Sequence, residues 1–191
     1  MILGVIGLVA IDLGGAVWAA VVLLFGAGML AEWATLSRWR PGPMLLGVLY
    51  VVPAIAALLW LHRGGSGLNR VLFLAAVVWA GDVGAYLVGR LAGGPRLAPR
   101  ISPGKTWSGA VGGTFCAILA ASLVIPGHAP EALLLSVVAQ AGDLLESAIK
   151  RYFGVKDSGW LIPGHGGLLD RLDGVLTAAP AAALLVIGHR L

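Results

Sequence analysis

Residues Leu68–Val88 read LNRVLFLAAVVWAGDVGAYLV. A helix that crosses a bilayer needs about 20 mostly apolar residues, and this run supplies them. Its charges are Arg70, near the start, and Asp82, well inside. An acid near the bilayer centre costs at least ~2.5–3.5 kcal/mol. Asp82 is therefore expected to face a polar interior and not lipid. Outward from this run the pattern repeats. Ala16–Leu36, Met44–Leu61 (with Pro53), Trp107–Ile125, Glu131–Tyr152 and a short Leu172–Ile187 (with Pro180) read as further spans. Met1–Leu13 is apolar but about 20 Å long as a helix, too short to cross comfortably. It has no basic leading region and no small-residue cleavage site, so it reads as part of the mature chain, a half-span or truncated first helix. The expected fold is all-α: a polytopic membrane bundle of six to seven helices, one domain over residues 1–191.

Composition agrees. The chain is 59% hydrophobic and 12% charged, with a mean hydropathy of +0.92. A soluble domain carries about 25% charged residues. Thirteen Lys and Arg against nine Asp and Glu leave a formal charge of +4. No basic run is interleaved with aromatics, so nucleic acid is not an expected partner. The single cysteine, Cys116, excludes an intrachain disulfide and a thiolate zinc site.

The cations are distributed unevenly among the loops. Arg38, Arg40, Arg90, Arg96, Arg100, Lys105, Lys150, Arg151, Lys156 and Arg171 fall on one side, and Arg63, Arg70 and Arg190 on the other. The positive-inside rule makes the first side cytoplasmic. The loops Leu91–Thr106 and Phe153–Arg171 then share a face, and with it a possible common site.

Carboxylates gather at the same depth. Asp143, Glu146 and Lys150 are spaced i, i+3, i+7, on one helix face. Asp170 and Asp173, at i and i+3, open the last span. Two plainer readings stand beside a functional one: a Glu146–Lys150 pair that eases insertion, and acids that meet the positive end of a helix. Yet four carboxylates beside one glycine-rich loop repel each other unless a cation lies between them. Oxygen ligands of this kind suit magnesium. The loop Pro163-Gly164-His165-Gly166-Gly167 lets backbone N–H groups approach phosphate oxygens; His165 reads equally as a loop residue without chemistry. The second loop, GRLAGGPRLAPRISPGKTWSG from Gly89 to Gly109, holds four cations and no acid. Such a rim attracts anions, although Arg96 and Arg100 also read as topology signals. Lys105-Thr106 after Gly104 is not a phosphate-binding P-loop, because Pro99 stands where that motif has its first glycine. Together these features describe a membrane site for a phosphate-rich soluble molecule and a lipid.

The residues Ser147-Ala-Ile-Lys150-Arg151, Lys156-Asp157-Ser158-Gly159, Leu161-Ile-Pro163-Gly-His165-Gly166-Gly167 and Asp170-Arg171-Leu-Asp173 closely resemble the signature of the phosphatidate cytidylyltransferases. Gly142–Ser147, Asp82–Tyr86 with Gly89-Arg90, and Ile101–Thr106 are also similar to that family, and Glu32-Trp33 fits it more loosely. The resemblance covers roughly residues 79–174, with the signature region at 142–174. Three features depart from the pattern: Ser108 where an acid is usual, Val83 where Thr is common, and an N-terminus shorter by half a helix. The resemblance implies transfer of the cytidylyl group of CTP to phosphatidate with release of pyrophosphate. It implies Mg²⁺ at Asp143, Glu146, Asp170 and Asp173, with room for a second, monovalent cation. It implies catalytic roles for Lys150, Lys156, Asp157, His165 and Arg171, and substrate contacts from Asp82, Ser102, Lys105, Arg151, Gly166 and Gly167. Membrane lipids are the surroundings, a homodimer stays open, and the setting is a bacterial-type cell membrane with the site on its cytoplasmic side.

Three rival readings stand beside this one. A related transferase for another lipid phosphate would share the signature. A CDP-alcohol phosphotransferase would need D-G-x-x-A-R, but Asp173-Gly174 is followed by Val-Leu-Thr-Ala. An ion-coupled transporter would carry its charges near the midplane of several helices, whereas these collect towards one end.

Overall fold

The computed structural model describes residues 2–159 and 166–191. Among them are seven helices: α1 (Ile2–Leu13), α2 (Gly15–Leu36), α3 (Pro41–Leu61), α4 (Gly67–Ala92), α5 (Trp107–Val124), α6 (Ala129–Tyr152) and α7 (Leu169–Ile187). Each apolar run became a helix, with ends within a few residues of those expected. The protein is an all-α, multi-pass membrane bundle. Helices α2 to α6 are long and apolar enough to cross a membrane. Helix α1, with 12 residues, is about 18 Å long. Helix α7 has 19 residues, but Asp170, Arg171 and Asp173 occupy its opening turns. The seven helices agree with the six to seven expected; among the described residues five are long and apolar enough to cross a membrane, while α1 is short and charge opens α7.

The prolines act locally. Pro41 and Pro130 sit in the first turns of α3 and α6, where a missing N–H breaks no bond. Helices α4 and α5 make the most intimate pair, and small residues are the reason. A Cβ on Gly113 would stand 2.6 Å from the carbonyl oxygen of Gly81, and one on Gly84 would stand 2.6 Å from the Cβ of Cys116. The main core joins Leu61, Phe73, Leu74, Val77, Leu135 and Ala178. A second apolar cluster, Met29, Trp33, Val51, Leu169 and Leu176, packs beside the start of α7.

The loop between α4 and α5 is more ordered than its sequence suggests. Strand β1 (Arg96–Ala98) pairs antiparallel with β2 (Ser102–Thr106). Thr106 then caps α5, its Oγ1 accepting the Gly109 N–H at 3.1 Å. The hairpin therefore ends directly in a helix start. It is tied across to the signature segment, where Arg151 Nε donates to the Ile101 carbonyl at 3.4 Å.

Candidate active site

The site lies where the hairpin, α4 and α6 meet. A cavity of about 750 Å³ is lined by Asp82, Tyr86 and Arg90 of α4, Arg96, Ser102 and Lys105 of the hairpin, and Gln140 and Asp143 of α6. Lys105 pairs with Asp143 inside it. Residues far apart in the chain, carried by separate loops and spans, thus form one charged wall.

Asp82 faces this cavity, as expected from its position in an apolar run. Tyr86 and Arg90 follow it along the same wall, with Arg90 Nη1 donating to the Tyr86 hydroxyl at 2.7 Å. Two polar residues of the neighbouring helices, Thr114 and Gln140, are engaged with each other. Gln140 Nε2 donates to Thr114 Oγ1 at 2.9 Å and to Ser136 Oγ at 3.2 Å. This polar ladder joins α5 to α6 and turns the Gln140 side chain to the cavity edge.

Behind the wall lie the remaining acids. Lys150 Nζ donates to Asp170 Oδ1 at 2.6 Å and stands 3.5 Å from Glu146 Oε1. The plainer reading of Glu146–Lys150 as a pair is present, but the tighter bond goes to Asp170. The other Asp170 oxygen accepts the N–H groups of Ser158 at 2.9 Å and Gly167 at 2.8 Å. Burial acts to raise the Asp170 carboxyl, but the Lys150 bond and these two N–H groups prevail and hold it below the ordinary carboxylate value. Asp170 is thus both an ion-pair partner and a loop clamp. Glu146 is 2% exposed, and neither of its oxygens accepts a hydrogen bond among the described residues. Its carboxyl interacts with that of Asp173, which also feels the charges of Asp143 and Asp82. Two carboxylates are acceptors only, so they cannot bond each other without a proton or a cation between them.

The donor set therefore suits a hard cation in type. Among the described residues, no three acid, His or Cys side chains are grouped as a ready ligand set. The four expected metal ligands are instead arranged as pairs, Asp143 with Lys105, Asp170 with Lys150, and Glu146 with Asp173.

The other expected residues divide. Ser102 and Lys105 line the cavity. Lys156 and Asp157 are exposed, and Lys156 is not among the residues that line the cavity with Lys105. Arg151 is exposed and bridges backbone carbonyls of Ile101 and Val155. Gly166 adopts φ +84°, a backbone that favours glycine; a side chain there would meet Asp170 Oδ2 at 3.1 Å. His165 lies outside the described residues. Arg171 projects from α7 into a separate apolar groove of about 590 Å³, among Trp18, Phe25, Met29, Trp79 and Val175.

Sequence reasoning undervalued two residues. Tyr50 of α3 donates to the Asp173 carbonyl at 3.5 Å. Glu32 of α2 is 3% exposed and accepts the N–H groups of Leu168 and Leu169 at 2.8 and 2.9 Å. An acid inside an apolar span was the signal for Glu32, as it was for Asp82.

The model of the cytidylyltransferase family matches residues 37–187. The chain belongs to this family. A phosphatidate cytidylyltransferase of Brucella suis biovar 1 (strain 1330) is 49% identical over 162 residues, 79% of this chain and 58% of that protein. One of Rickettsia typhi (strain ATCC VR-144 / Wilmington) is 36% identical over 174 residues, 83% of this chain and 76% of its own. One of Rickettsia felis (strain ATCC VR-1525 / URRWXCal2) is 35% identical over 181 residues. The chain spans a little over half the length of the Brucella relative. The family match encloses α4, the hairpin and α6, the elements that bear the charged wall, and the start of α7 behind it.

Proposed function

We propose that this chain transfers the cytidylyl group of CTP to phosphatidate, giving CDP-diacylglycerol and pyrophosphate. The observation that carries the reading is the pairing of Lys105 with Asp143 in a cavity bordered by Arg90 and Arg96. Cations for phosphates and carboxylates for a metal share one wall there, and the curated relatives are named for this reaction.

A phosphatidate phosphate oxygen attacks the α-phosphorus of CTP. A new P–O bond forms, the bond from the α-phosphorus to the bridging oxygen breaks, and pyrophosphate leaves. The nucleophile is already anionic, so no strong general base is required, and positioning with charge neutralisation supplies most of the rate. Lys105, Arg90 and Arg96 hold triphosphate oxygens along the cavity wall. Ser102 donates a hydroxyl beside them. Lys150 keeps Asp170 in register with the loop. Arg171 marks the polar end of the apolar groove, which takes an acyl chain. Glu146 and Asp173, whose carboxyls lie together, would hold Mg²⁺ with phosphate oxygens, and Asp143 and Asp170 would stand near it; the ion would neutralise charge that builds on the phosphates. The uneven distribution of cations among the loops supports a cytoplasmic face for this site.

The test is direct. The purified chain in detergent is given CTP, Mg²⁺ and phosphatidate, and pyrophosphate and the lipid product are measured. Release that requires phosphatidate and stops on chelation supports the reading. Release with a polyprenyl phosphate and not with phosphatidate would move the assignment to another lipid acceptor.

A further inference from the structure

The signature loop is held from outside the family match. Glu32 lies on α2, ahead of residues 37–187, and its carboxylate receives the Leu168 and Leu169 N–H groups from 136 and 137 positions away. Those donors belong to the cap and first residue of α7, and Leu168 itself offers no side-chain cap. The first N–H groups of a helix have no partner within it, and a buried anion there is favoured by the helix dipole. Both carboxylate oxygens are used, one for each donor.

The same carboxylate meets both ends of the loop. A Cβ on Gly159 would stand 2.6 Å from the Glu32 carboxyl, and one on Gly167 would stand 2.7 Å from Glu32 Oε2. Any side chain at either position would displace the acid, so the two glycines close around it. Asp170 grips the same two ends through Ser158 and Gly167. Glu32 itself is fixed by its helix. Next to it, the Trp33 indole N–H donates to the Pro43 carbonyl at 2.8 Å and locks α2 to α3.

We infer that Glu32 is a positioning residue of the active site: its carboxylate anchors the ends of the signature loop and the start of α7, and so sets where Asp170, Arg171 and Asp173 stand. This rests on the transferase reading for its kinetic consequence but not for its geometry. Glu32 touches neither substrate nor reacting atoms in this role. It acts through the loop.

Glu32→Gln keeps the size but replaces one acceptor by an NH₂ that faces a backbone donor. The full chain, wild type and variant, is compared by amide hydrogen exchange and by turnover of CTP with phosphatidate micelles. The expected result is faster exchange at Leu168 and Leu169, by at least about ten-fold, with unchanged protection in residues 175–187. The expected kcat falls by about 10–100-fold, since misplacing catalytic groups by about 1 Å can cost that much. Glu32→Asp, which keeps the charge and both acceptors, should recover part of kcat; it also serves if the Gln variant does not fold. Unchanged exchange at Leu168 and Leu169 overturns the inference, as does a loss of activity that only tracks the folded fraction. A wild-type chain that releases no pyrophosphate defeats the transferase reading, and exchange then decides the anchor by itself.

Discussion

Lys105 and Asp143 are paired across the wall of the polar cavity, one at the end of a β-hairpin and the other deep in α6. Their side chains are 25% and 31% exposed. A pair this open contributes little to stability, about 0–1 kcal/mol. Its place between the two loops is better explained by what it can hold.

Lys105→Ala is therefore expected to separate stability from function. The thermal midpoint should stay close to wild type, while turnover of CTP with phosphatidate falls by about 10²-fold or more, the scale for loss of one charge-stabilising group. Full turnover in the variant would reduce Lys105 to a topology signal.

Asp82→Asn keeps the shape and hydrogen-bonding capacity of the side chain and removes its charge. Asp82 lines the cavity, while Gln140 is bonded to Thr114 and Ser136. The expected outcome is a folded protein with lower turnover and a raised Mg²⁺ requirement. Unchanged turnover and Mg²⁺ dependence would remove Asp82 from the site.

Lys150 is the cation between Glu146 and Asp170, and the three side chains are 13%, 2% and 10% exposed. Removing one member of a buried pair leaves an uncompensated charge and costs about 3–5 kcal/mol. Lys150→Ala should accordingly melt well below wild type, and pairing it with Asp170→Asn should restore part of the loss. Additive losses in the double variant would show that the two do not act as a unit.

Gly113 tests the packing beneath the site. Gly113→Leu puts a side chain where even a Cβ stands 2.6 Å from the Gly81 carbonyl. Overpacking of this kind costs about 1–3 kcal/mol, so α4 and α5 should separate and the cavity they help to line should open. A melting curve with the wild-type midpoint would argue that the two helices have room to part.

The sequence by itself determined the helices and which end of the bundle gathers the charged residues. Spans of about 20 apolar residues have few alternatives in a bilayer, because backbone groups must be satisfied within the segment. An acid in such a run, Asp82, Asp143 or Glu146, is costly unless it faces something polar. Both rules act locally, so they are legible without a fold. Partner choice is not local. That Lys105 meets Asp143 and that Lys150 prefers Asp170 to its helix neighbour Glu146 were settled by how α6, α7 and the hairpin pack. Only tertiary structure could bring Glu32 to the start of α7, because the N–H groups it binds become unsatisfied donors only once that helix forms, and nothing in the chain around Glu32 specifies which helix that will be.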